Sequence, residues 1–152
     1  MSEKLFYPTT TEGEREARNA GPTQLELARG DTRVSVSPEV GGMVTQFSVA
    51  EKDILYFDLE TFRTEGKKPK LGVPVLFPFG GPDTEKTVRQ HGGLREVPWV
   101  WENRDDNSII LSLDTANIKD EMLLSELRKK FGGALDFTYE VRISIGEGSL
   151  AY

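Results

Sequence analysis

Short apolar runs, bounded by Gly, Pro, Asp and Asn, set the pattern of this chain from Gln24 onward. In TRVSVS, Val34 and Val36 fall on one parity and polar residues on the other, which predicts a strand with one apolar face. PEVGG follows as a turn, where Gly41 and Gly42 can take backbone conformations that side chains resist. MVTQFSVA and DILYF are predicted to be the next two strands of a β-meander. Further on, EVPWVWEN and SIILSLD are predicted strands, the second alternating through Ile109, Leu111 and Leu113. The clearest period is in LDFTYEVRISIG, where Phe137, Tyr139, Val141, Ile143 and Ile145 share one parity. That pattern predicts a half-buried strand of an antiparallel sheet.

DEMLLSELRKKF departs from this period. Leu123, Leu127 and Lys130 or Phe131 recur at helical spacing, so the segment is either a short helix or a strand and turn, ended in both cases by Gly132 and Gly133. Residues 1–22 are polar and without an apolar face, which predicts an N-terminal arm, with the β domain spanning 23–152. The expected fold class is mainly β, a sandwich or open barrel.

Composition narrows the functions. The chain has 152 residues, 37% hydrophobic and 29% charged, the balance of one soluble globular domain. Its formal net charge is -6, from 25 acids and 19 bases, which disfavours nucleic acid and anionic membrane as partners. Cysteine is absent and there is one histidine. A thiolate nucleophile, a Cys-based metal centre and a multi-His metal site within one chain are thereby excluded, and no cofactor is expected. No signal or membrane-spanning segment is read from the pattern, so a cytoplasmic location is the default expectation.

The chemistry concentrates in VPVLFPFGGPDTEKTVRQHGGLREVPW, Val73 to Trp99. Pro74 and Pro78 lack ladder donors, so PVLFPF is expected to be extended but outside a central strand. Read as residue types alone, the stretch is a set of turns, or a sugar or anion pocket. In the second reading His91 donates to a hydroxyl or ring oxygen, and Arg95 forms two directed hydrogen bonds. Trp99 or Trp101 would supply an apolar ring face. The acids Glu96 and Glu102 read as surface charge or ion pairs, and Asp83 and Glu85 as an exposed turn. Arg63, Lys67, Lys68 and Lys70 read as a solvated loop, with a phosphate contribution as the sharper alternative.

Taken in order, VSVSPEVGGMVTQFSV, DILYF, KLGVPVLFPFGGP, QHGGLR and PW resemble the aldose 1-epimerase, or galactose mutarotase, superfamily. The branch they are most similar to is that of glucose-6-phosphate 1-epimerase. There an Arg-Gly-Gly-Ile-Pro element leads through Phe-Pro to His-Gly-Leu-Ala-Arg. Lys70 to Pro74 occupy the first pattern and His91 to Arg95 the second. The resemblance implies a galactose mutarotase-like β-supersandwich, truncated to roughly its N-terminal half. It places His91 on the substrate-binding histidine and Arg95 on an arginine of substrate or phosphate recognition. Lys70 joins them with the charge of the motif's arginine but not its fork, and Phe77 and Trp99 are expected pocket walls.

Anomer interconversion needs a positioned acid and base. In the resembled family these are a second histidine and a glutamate farther along, which have no counterpart in this sequence, so no residue here is expected to be catalytic. The expected partners are a sugar or sugar phosphate, together with another copy or a second polypeptide that completes the fold. Two function classes stay open: an epimerase-derived, incomplete unit inactive alone, or a noncatalytic carbohydrate-binding or protein-interaction domain.

Overall fold

Antiparallel pairing organises the described residues into two four-stranded sheets. The computed structural model describes residues 24–56, 58, 72–78, 80–133 and 135–152. The first sheet runs β1 (Leu25–Arg29), β2 (Thr32–Ser37), β3 (Met43–Val49) and β4 (Lys52–Asp53) in sequence order. The second runs β5 (Val100–Asp105), β6 (Ser108–Asp114), β7 (Thr138–Gly146) and β8 (Ser149–Ala151), again in order. Every strand pair is antiparallel, so each sheet is a meander. β7 packs on β1 and β2, which brings the sheets face to face.

One core joins them. Leu27, Val34, Val36 and Val44 from the first sheet meet Ile109, Leu111, Val141 and Ile143 from the second. The one α-helix among the described residues, α1 (Glu121–Phe131), adds Leu123, Leu124 and Leu127 to the same cluster. Asp120 caps α1 by accepting from the Leu123 N–H at 2.9 Å, and Gly132 ends it in the left-handed conformation at φ 82°. The two readings of DEMLLSELRKKF are thereby resolved in favour of helix.

Three expectations change. The face of β2 opposite Val34 and Val36 is polar as expected but not solvent-facing: Ser35 and Ser37 are as buried as the valines, as is Thr32 on the valine side. Hydrogen bonds make the burial of two of them tolerable: the Gly148 N–H donates to Thr32 Oγ1 at 2.6 Å, and Ser35 Oγ donates to Gln46 at 3.4 Å, while Ser37 Oγ has no partner among the described residues. DILYF was expected to be a strand, but pairing stops at Asp53. Ile54 makes one more backbone bond, to Phe47, and then Ile54 and Tyr56 turn outward. EVPWVWEN is strand only from Val100, because Leu94–Glu96 forms a 3-10 turn first. The arm at 1–22 lies outside the described residues. Among those described, no helix is long and apolar enough to cross a membrane.

Candidate functional site

His91 and Arg95 sit on consecutive 3-10 turns, Gln90–Gly92 and Leu94–Glu96, joined through Gly93 at φ 81°. The turns are closed by Gly92 N–H donating to Arg89 and Glu96 N–H donating to Gly93, both at 2.9 Å. His91 itself has φ 63°, a left-handed conformation uncommon for a residue with a side chain. Its N–H donates to the Gly81 carbonyl at 3.2 Å. Gly92 explains why this geometry needs glycine: a Cβ there would overlap the Phe77 carbonyl. The prolines and glycines of the stretch thus serve a close crossing of two backbone segments.

Both candidate side chains carry an unsatisfied nitrogen. Nδ1 of His91 and Nε of Arg95 are out of solvent contact and have no hydrogen-bond partner among the described residues. An unpaired buried donor or acceptor costs about 1–3 kcal/mol, so such atoms are few; Ser37 Oγ on β2 is the third among the described residues. The neighbouring carboxylate of Glu96 forms an ion pair with Arg95 Nε through Oε1 at 4.0 Å, too long for a hydrogen bond. Instead Glu96 accepts from Arg89 Nη1 at 3.3 Å.

Arg89 is the junction of this region. Its Nε and Nη2 grip both oxygens of Glu126 at 3.1 and 3.3 Å, and its Nη1 also donates to Asp120 at 2.9 Å. The Arg89 backbone N–H adds a bond to Glu126 at 2.9 Å. A second tie lies just upstream. Asp83, 7% exposed, accepts from Thr87 N–H and Oγ1, Val88 N–H and Lys130 Nζ at 2.6 to 3.1 Å. The Thr87 hydroxyl, followed by Lys130 and the two backbone donors, holds the Asp83 carboxyl well below the usual carboxylate range despite burial. Asp83 is therefore a buried structural anion, which corrects its reading as an exposed turn acid; Glu85 remains exposed, paired with Lys130 at 2.8 Å.

The expected aromatic wall is divided. Trp99 is 4% exposed, donates from Nε1 to the Leu94 carbonyl at 3.0 Å, and meets Tyr139 edge-on at 5.6 Å. Phe77 is partly buried among Phe131, Phe137 and Tyr139, the last at 4.9 Å. Trp101, on β5, is 43% exposed.

Comparison with known proteins now bears on this arrangement. A Salmonella typhimurium protein, named provisionally as a glucose-6-phosphate 1-epimerase, is 30% identical over 101 residues, covering 65% of this chain and 32% of that one. Its Escherichia coli K12 namesake is 28% identical over 97 residues, covering 64% and 31%. Over those stretches the chain is similar to both epimerase-named proteins. The fold agrees: a crystal structure from Synechocystis sp. PCC 6803 matches 99% of this chain and 50% of its own, with TM-score 0.68 and 24% identity. A galactose mutarotase related enzyme from Lactobacillus acidophilus matches 84% and 41%, with TM-score 0.61 and 18% identity. No family model matches. The chain spans about a third of the length of the curated relatives it matches and half that of the Synechocystis structure.

In the structure, His91 and Arg95 share one short segment, while Lys70, Arg63, Lys67 and Lys68 lie outside the described residues. Glu96 is an ion-pair member, and Glu102 is exposed on β5. The residues that sequence reasoning missed are Arg89, Asp120, Glu126 and Lys130. Asp120 had a local signal, an N-cap acid before an apolar helical run. Glu126 and Lys130 share a helix face at i and i+4, but nothing local shows that the face meets the loop.

Proposed function

We propose that the His91–Arg95 segment is one wall of a site for a hexose or hexose 6-phosphate, and that this chain recognises the sugar without completing anomer exchange by itself. The observation that carries the reading is the pair of unsatisfied nitrogens on His91 and Arg95. Rotation of either side chain offers the nitrogen to a ligand oxygen, and a guanidinium favours an anionic one. The names of the Salmonella and Escherichia coli relatives make glucose 6-phosphate the first probe. Acid–base opening of the ring needs two groups placed on opposite tasks, and this stretch supplies a single imidazole, with Glu96 already engaged by Arg89.

Isothermal titration of the chain with glucose 6-phosphate and with glucose tests the site. Binding that favours the phosphate and falls about tenfold or more in both His91→Ala and Arg95→Ala is the expected result. Equal affinity in the parent and both variants would remove the assignment. NMR exchange spectroscopy on glucose 6-phosphate tests the second clause; protein-dependent anomer exchange lost in His91→Ala would show that the chain is catalytic alone. For partners, we propose that another copy or a second polypeptide pairs with the edge of the second sheet, where Val100 is 62% and Trp101 43% exposed.

A further inference from the structure

Two arginines flank Glu96. Arg89 Nη1 donates to its Oε2 at 3.3 Å, whereas Arg95 Nε faces the other oxygen, Oε1, at 4.0 Å, beyond hydrogen-bond reach. Arg89 can hold it there because it is itself fixed from α1. Glu126 takes its guanidinium by two oxygens and also its backbone N–H, and Asp120 takes the remaining edge. Such a two-oxygen grip fixes direction as well as distance. The stem of Arg89 adds a steric hold: a Cβ on Gly93 would come within 2.9 Å of Arg89 Cδ and 2.6 Å of Leu123 Cδ1. Gly93, the joint between the two turns, is therefore enclosed between Arg89 and α1.

We infer that Arg89 is the positioning residue of the His91–Arg95 site, working in two ways at once. It pins the start of the His91 turn to α1 through Glu126 and Asp120, and it draws Glu96 off Arg95 so that the Arg95 guanidinium stays available to an anion. The inference rests on the ligand reading above for its second part; its first part stands on geometry alone. Charge bookkeeping supports the second. Without Arg89, Glu96 keeps Arg95 as a flanking cation and can close the 4.0 Å gap toward it.

The experiment uses the full chain with glucose 6-phosphate as probe and the imidazole resonances of His91, which are unambiguous because the chain has one histidine. Arg89→Met keeps the stem and removes the charge. At fixed pH it is expected to shift the His91 imidazole signals and to weaken glucose 6-phosphate about tenfold, the scale of one charge-assisted contact. Adding Glu96→Gln is expected to restore most of that affinity while leaving the imidazole shift, a reversal that general destabilisation would not produce. Arg142→Met, which removes an exposed ion pair to Asp105, is expected to change neither readout. A folded Arg89→Met whose imidazole signals and affinity match the parent would overturn the inference, as would a loss that Glu96→Gln fails to reverse. If Arg89→Met does not fold, Glu126→Gln carries the same two readouts, and an unchanged imidazole spectrum there overturns the pinning role. If the parent chain binds no glucose 6-phosphate, the ligand reading fails, and the imidazole shift alone decides whether Arg89 positions His91.

Discussion

Gly41, in the turn between β2 and β3, lies against the backbone of Arg95 so closely that a Cβ on it would overlap the Arg95 carbonyl. The same turn receives the Trp99 N–H at the Pro38 carbonyl, 2.9 Å away. The first sheet thus sets the position of Arg95 through backbone, not through side chains.

Gly41→Ala should consequently cost more than backbone strain alone. Gly41 and Gly148 have nearly the same φ, 65° and 66°, but Gly148 has open space where its Cβ would be. Left-handed strain for an L residue is about 1–2 kcal/mol, so Gly148→Ala should lose about that much. Gly41→Ala adds an overlap that forces backbone to move, for a total of about 2–4 kcal/mol. Urea denaturation of both variants checks the difference; equal losses would mean that the crossing at Arg95 relaxes freely.

Asp83 predicts the acid limb of the stability curve. Its folded pKa is depressed, chiefly by the Thr87 hydroxyl and Lys130, so its contribution is present above the unfolded carboxylate value and is lost as pH falls. Asp120 is shifted the same way by the Leu123 N–H, and Glu126 by Arg89 against the opposing effect of burial. Stability should be full above about pH 5 and fall steadily below about pH 4. Asp83→Asn should start lower at neutral pH and show a shallower acid decline. Denaturation midpoints across pH 2 to 7 (roughly the range over which carboxylates titrate) would reveal parallel curves if Asp83 does not contribute to that limb.

The strands and their inward faces were legible because a two-residue period is local. Val141, Ile143 and Ile145 are buried as their parity requires. α1 was half legible, its leucine spacing visible but the competing strand open until Asp120 and Gly132 supplied the caps. Burial of Asp83 was not legible, since a turn reads the same whether solvent or a helix lies over it. Lys130 reaches it from 47 positions later, and Glu126 reaches Arg89 from 37. The site residues His91 and Arg95 entered through motif resemblance, whereas their support entered only through tertiary contact.

Leu123 should behave as part of the site's foundation. It is fully buried and meets the joint at Gly93. Leu123→Ala should cost about 2–5 kcal/mol through lost burial and the cavity left behind. The neighbouring Met122 is 70% exposed, and Met122→Ala should stay within about 0.5 kcal/mol of the parent. Amide spectra separate the two further: Gly92 and Gly93 signals should move in the first variant and stay in place in the second.

β5 makes the last prediction. Among the described residues it has β6 on one side and no strand on the other. Val100 and Trp101 point to opposite faces of a strand and are nevertheless both exposed, so β5 offers apolar surface as well as unpaired backbone groups. Open edges of that kind pair with other strands unless charge or proline guards them. The average mass in sedimentation equilibrium should therefore rise with concentration for the parent chain. Val100→Lys should lower the association without altering the melting of the domain by more than about 0.5 kcal/mol, because the position is solvent-facing. A parent chain that sediments as a monomer throughout would show that the edge is already protected. Association unchanged in Val100→Lys would place the contact on another surface.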